Sequence, residues 1–400
     1  MQRHFGLIWG DPTLRMLTIC ALLHGVFASA VSIYQSLVAV TVFGISDQTY
    51  AAILLIAMAV AVGASIGVGI VTDQRPSRRL MALMACTMVT LGTASVWLID
   101  TKAAFIIAHM FLIPLSGSFF GQLFAVARLS TAHLPRIDRD ALLAILRAMF
   151  AIPFMIALPI WGWAFGKGLP LTTIYPVVTL TGMTLVAVIW RQWPRDAAAP
   201  WTETKSGLSF RASLSEIATG PILIRVGLIG IMLSGGAISG AILGLLFAVT
   251  PGRGAADVGI FFGVFVAIEV VVTLFVGQFL RVMKRSTCIA LGALQYALFL
   301  ALLPVLAATP WVWLLIVPAG AGGAMMYALV IGYLQDLLGR RAGAGASLIA
   351  LQQLASQTLA AAAFAIGTWL YGYALVAILG AAAIIAATLA LHWLDRGRAD

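Results

Sequence analysis

The sequence predicts an all-α membrane protein, with twelve transmembrane helices in two pseudo-symmetric six-helix bundles. Three observations predict it. The chain is 62% hydrophobic and 10% charged, where a soluble domain carries about a quarter charged residues, and its mean hydropathy is +1.04. Its 400 residues divide into apolar stretches close to the ~20 residues that a spanning helix needs. Its basic residues gather in alternate connections between those stretches. A surface this apolar could not be kept in water, and lipid is the solvent that fits.

In the first half the expected spans are 16–43, 49–71, 80–99, 103–127, 140–165 and 170–190. In the second half they are 219–249, 257–280, 286–307, 310–335, 343–370 and 372–394. Turn chemistry separates several of them, at Gly-Ile-Ser-Asp47, Asp100-Thr-Lys102, Gly166-Lys167-Gly168 and Thr250-Pro-Gly-Arg253. Pro and Gly inside a span do not veto a helix in lipid, because neighbouring groups satisfy the freed backbone. The first apolar stretch is too long for a secretory leader and is followed at once by another, so it is read as helix one. The longest polar stretch, Arg191 to Glu216, follows the sixth span. It divides the chain into an N-terminal bundle at 1–190, a cytoplasmic linker at 191–218 and a C-terminal bundle with a short tail at 219–400.

The net charge of +10 would suggest nucleic acid in a soluble protein. Here the charges lie between apolar stretches and read as topology signals, so no nucleic-acid partner is expected. With the N-terminus placed inside, all of the 24 Lys and Arg except Lys102, Lys167 and Arg253 fall on the inner side. A wrong span count would scramble that bias. It therefore supports twelve spans, cytoplasmic termini and a bacterial-type inner membrane. Arg225 reads as one of the interfacial anchors. Cys20, Cys86 and Cys288 all lie in apolar stretches without metal-ligand spacing and read as small buried hydrophobes. A monomer without metal or cofactor is expected, with the bilayer, a small-molecule substrate and protons as its partners.

The two halves echo each other. Helix two ends Gly67-Val-Gly69-Ile-Val-Thr-Asp73-Gln-Arg75-Pro-Ser-Arg78-Arg79, and helix eight ends Gly277-Gln-Phe-Leu-Arg281-Val-Met-Lys284-Arg285. Each is a Gly-bearing helix end, a short basic turn and an immediate next helix. Two such halves are the pattern of a rocking transporter with its site at the midplane. The first turn resembles the Gly-x-x-x-Asp-Arg-x-Gly-Arg-Arg signature of the major facilitator superfamily. Gly69 and Asp73 match, and Arg75, Arg78 and Arg79 supply the basic cluster. Gln74 stands where Arg is usual, the inner Gly is absent and the turn is one residue longer. Three further stretches are similar to the sugar efflux transporter branch. They are Phe120-Gly-Gln122-Leu-Phe-Ala-Val-Ala-Arg128, Leu146-Arg147, and Tyr333-Leu-Gln335-Asp336-Leu-Leu-Gly339-Arg340-Arg341-Ala-Gly343. The Gly-Pro motif of the superfamily's drug antiporters is not matched, since Ala157-Leu158-Pro159 occupies its place.

An ionisable group within a span is costly and is a functional hypothesis by default. Glu269, in Phe265-Val-Ala-Ile-Glu269-Val-Val-Val, is the one carboxylate expected at mid-depth. A carboxyl there is costly to ionise and can take up and release a proton, so proton coupling is weighed against a structural hydrogen bond. Arg147, about two turns into helix five, either joins Glu269 in a proton-coupling network or snorkels to the headgroups. The resemblance implies the former, because helices five and eight face each other in the family. It also implies a cytoplasmic gate made of Asp73, Arg75, Arg78, Arg79, Arg128, Asp336 and Arg340. A sugar-like solute needs hydroxyl partners and aromatic faces. Ser32, Gln35, Ser36, Gln122, Tyr327, Gln353 and Gln357 are the candidates to bind it, the last two being four apart on one helix face. Each is weighed against a structural interhelical bond worth ~0.6 kcal/mol. His24 and His109 are read as hydrogen-bonded structural histidines.

The expectation is proton-coupled efflux of a sugar or sugar-like polar solute by alternating access. The alternative is export of drugs, siderophores or other small amphiphiles, which a Met-rich aromatic cavity would favour; Met325 and Met326 point slightly that way. A membrane enzyme or receptor is disfavoured, because no catalytic Ser–His or metal-spaced set is seen.

Overall fold

The computed structural model describes residues 2–74, 77–195, 220–338 and 345–396, and every regular element among them is helical. A short helix, Gln2–Gly10, precedes the long ones. Six follow in the first half: α1 Pro12–Val42, α2 Asp47–Gln74, α3 Arg78–Ile99, α4 Lys102–Ser130, α5 Arg136–Gly166 and α6 Ile174–Gln192. The second half gives α7 Gly220–Val249, α8 Ala255–Phe279, α9 Arg285–Leu306, α10 Ile316–Leu338, α11 Gly345–Leu370 and α12 Tyr373–Leu394. Eleven helices among the described residues are long and apolar enough to cross a membrane. The remaining one, α11, carries Gln352, Gln353, Ser356 and Gln357 in its first half. Residues 196–219, and with them most of the expected linker, lie outside the described residues.

The turns form where turn chemistry allows them. Gly44, Gly168 and Gly252 adopt φ of 58°, 90° and 76°, a region that costs a side-chain-bearing residue strain. At the α3–α4 turn Asp100 itself takes φ 47°, and the Thr101 side chain accepts from the backbone N–H of Ala104 to cap α4. Within α4 the regular ladder breaks: a wide turn at Ala108–Leu112 leads into a tight one at Pro114–Ser116, where Pro114 has no N–H to offer. Helix α5 starts four residues before the expected 140, so Arg147 lies about three turns in rather than two.

The chain divides into two compact units, and the division cuts through helices. The first holds Met1–Ser32, Ile56–Leu158 and Leu169–Gly207; the second holds Ile33–Leu55, Pro159–Gly168 and Leu208–Asp400. In the first, α3 packs along α6 and α4, over a core that includes Met16, Leu17, Cys86, Phe119, Leu123 and Leu185. Small residues set the spacing, as expected where packing rather than water exclusion joins helices. A Cβ on Gly182 would meet Thr90 Cβ at 3.3 Å. In the second, α7 is the most enclosed helix, against α11 and α12, while α10 packs on α8 and α9.

Tryptophan marks the helix ends. Trp163, Trp190, Trp311, Trp369 and Trp393 are 62–74% exposed, each within a turn of a helix terminus. An amphipathic indole suits the headgroup level of a bilayer. Between those levels the outward side chains, such as Leu91, Leu180 and Leu274, are apolar and exposed.

Candidate functional site

In the second unit the polar side chains converge on Gly323 of α10. A Cβ placed there would lie 3.8 Å from the Glu269 carboxyl carbon on α8, 3.8 Å from the Tyr296 ring on α9 and 3.5 Å from Phe265. These are ordinary van der Waals distances, so Glu269, Tyr296 and Phe265 all lie against this point of α10. One turn further along α10, Tyr327 directs its hydroxyl at Gly236 of α7, 2.5 Å from where a Cβ would be. Tyr296 and Ser239 share a hydroxyl–hydroxyl hydrogen bond of 2.8 Å. Glu269 lies within electrostatic reach of Tyr296 and Tyr327. Among the described residues it has no hydrogen-bond or ion-pair partner, and it is half-buried. Tyr327 is 44% exposed.

Sequence reasoning singled out Glu269 and Tyr327 but missed Tyr296 and Ser239. Both are hydroxyls in otherwise apolar helices, and the only available signal was Gln295-Tyr296 interrupting an apolar run. Gln353 and Gln357 are exposed on one face of α11, as their spacing predicts, while Gln352 and Ser356 are buried. Ser32 is exposed and donates to Ala28 O at 2.5 Å. Gln35 is half-buried, and Ser36 is wholly buried.

The first unit holds the described part of the expected gate. Arg78 Nη1 donates to Gln122 Oε1 at 3.0 Å, and Arg79 donates to the Trp190 carbonyl. Gln122, expected to bind solute, is 6% exposed and thus sits with the arginine at the root of α3. Arg128 is exposed in the last turn of α4. Asp73 and Asp336 lie within α2 and α10, but their side chains are outside the described residues, as are Arg75 and Arg340 entirely.

Arg147 is exposed and stacks its guanidinium 5.6 Å from the Phe124 ring centroid. Phe124, Phe120, Phe150 and Phe154 form a row with successive centroid separations of 4.7, 4.9 and 5.5 Å. His24 corrects an expectation. Rather than being hydrogen-bonded, it has ring contacts to Phe27, Phe119, Phe120 and Phe150 and no hydrogen-bond partner among the described residues. His109 does bond, with Nε2 2.9 Å from the Tyr175 hydroxyl. Arg225, in the second turn of α7, donates to Asp395 Oδ1 at 2.8 Å, and Tyr333 donates to the other oxygen at 2.6 Å.

Paired bundles of apolar helices, broken by a few enclosed polar groups, define a multi-pass membrane transporter rather than an enzyme. The Major Facilitator Superfamily model matches residues 17–361, and the chain belongs to that superfamily. No curated protein matches it in sequence. Among solved structures it is similar to the nucleoside transporter NupG, with TM-score 0.79 and 14% identity over 96% of this chain and 99% of that one. It is also similar to a POT family transporter in complex with 5-aminolevulinic acid, with TM-score 0.76 and 11% identity over 96% of each chain.

Proposed function

We propose that the chain is a proton-coupled exporter of a small organic solute, working by alternating access in a bacterial inner membrane with both termini cytoplasmic. The observation that carries the reading is Glu269, a half-buried mid-span carboxyl with no counter-charge among the described residues, set beside two phenols in the second unit. Coupling requires that proton and solute favour different conformations through differential affinity. Glu269 holds the proton; Tyr327, with its exposed ring, offers the solute a flat face and a hydroxyl. The cytoplasmic gate is assigned to Asp73, Arg75, Arg78, Arg79, Arg128, Asp336 and Arg340, with Gln122 bonded to Arg78.

The similarity of Tyr333 to Gly343 and of Phe120 to Arg128 to the sugar efflux branch supports a sugar or sugar-like solute. A second reading, export of a small amphiphile, is favoured by the phenylalanine row on α4 and α5. Flux into proteoliposomes of a panel of sugars and aromatic amphiphiles, with and without an imposed pH gradient, tests the reading. Accumulation of one panel member driven by the gradient is expected. Flux of transported members that is indifferent to the gradient contradicts it.

A further inference from the structure

The first unit contains a cation, Arg147, that no described side chain neutralises. Arg147 has no carboxylate or hydrogen-bond partner among the described residues, and its one contact of note is the face of Phe124. It sits about three turns inside α5, within the apolar segment Ala141–Gly166. A ring face compensates a guanidinium only in part, and a cation in a span is expensive unless paired. Beside it, Phe120, Phe150 and Phe154 continue the ring surface away from Phe124, and each of the four rings is only partly buried. At the edge of that surface the imidazole of His24, 9% exposed, packs on Phe120 and Phe150 at centroid distances of 6.3 and 5.6 Å, and no described group hydrogen-bonds its nitrogens.

We propose that this face of the first unit is a binding subsite for an aromatic carboxylate. The planar fork of Arg147 takes the carboxylate through two parallel N–H donors, a geometry that guanidinium matches and ammonium does not. The ring of the ligand lies on the phenylalanine row in offset or edge-on contact. His24 bonds a polar substituent at the far end of that ring. A sugar would leave the guanidinium without its counter-charge and would cover only part of the ring surface. A neutral aromatic would satisfy the rings alone. The inference rests on the exporter reading in its amphiphile form and narrows it to a substrate class.

Equilibrium binding to the purified full-length protein in detergent tests it, with benzoate, cyclohexanecarboxylate and benzyl alcohol as probes at one pH. Benzoate is expected to bind more tightly than either of the others. Arg147→Gln is expected to weaken benzoate by about tenfold or more and to leave benzyl alcohol unchanged. Arg147→Lys is expected to recover part of the loss, because charge returns without the fork. Equal affinity for the three probes, no binding of any, or benzoate binding unaltered in Arg147→Gln overturns the proposal. Glu269→Gln separates this from the coupling reading. Benzoate binding that persists there, with gradient-driven flux lost, supports both. Arg147-dependent binding with flux indifferent to pH keeps the subsite and removes the coupling. Gradient-driven flux with no benzoate binding removes only the subsite.

Discussion

Replacing Asp395 with asparagine should strip a charge from a nearly enclosed cluster that ties three helices of the second unit together. Arg225 on α7 donates to Asp395 beyond the end of α12, and Tyr333 on α10 donates to the same carboxylate. The side chains of the ion pair are 15% and 8% exposed. Breaking a buried pair by removing one partner costs about 3–5 kcal/mol, because the other charge stays behind. Here Arg225 keeps its bonds to the Leu394 and Pro221 carbonyls, and asparagine can still accept from Tyr333. Those contacts bring the expected loss down to about 2–3 kcal/mol. Thermal unfolding in detergent of the wild type, Asp395→Asn, Arg225→Gln and the double variant measures it as a double-mutant cycle. The single Asp395→Asn change should lower the unfolding temperature by several degrees. The double variant should unfold no lower than the worse single one, because removing both charges leaves none stranded. Asp395→Asn unfolding with the wild type, or the two losses adding in full, would refute the reasoning.

Two further substitutions probe packing and buried polarity. Gly230→Ala puts a Cβ 2.6 Å from both the Ala355 Cβ and the Gln352 carbonyl on α11, and should cost about 1–3 kcal/mol by overpacking; Gly227→Ala, with open space around it, should cost nothing measurable in the same unfolding assay. Tyr175→Phe removes the hydroxyl bonded to His109, which is 3% exposed, and should cost about 1 kcal/mol while the stacking of Phe105 on His109 persists in the near-ultraviolet spectrum.

The helices were legible because a bilayer demands long apolar runs, and because Gly44, Gly168 and Gly252 end them where φ turns positive. The break inside α4 was legible only through Pro114, since the widened turn before it has an ordinary apolar sequence. Glu269 stood out in the sequence because a carboxylate in mid-span is costly whether it couples protons or bonds a neighbouring helix. Its neighbours did not. Tyr296 and Ser239 belong to helices far apart in sequence, and a lone hydroxyl in an apolar helix carries no mark of the partner it finds. For the same reason the partner of Arg225 was not visible: Asp395 lies 170 residues away. His24 was misread because composition cannot tell a hydrogen-bonded imidazole from one ringed by four phenylalanines. Gln122 and Arg78 were assigned separate roles, and the fold places them in one bond.

The claim at the centre is that one carboxyl in the second unit carries the proton. Its direct test is Glu269→Gln in proteoliposomes, with a solute that the wild type accumulates, measured once under an imposed pH gradient and once as exchange at equal pH on both sides. Loss of gradient-driven accumulation with exchange retained is the predicted result. Accumulation driven as strongly as in the wild type would contradict it.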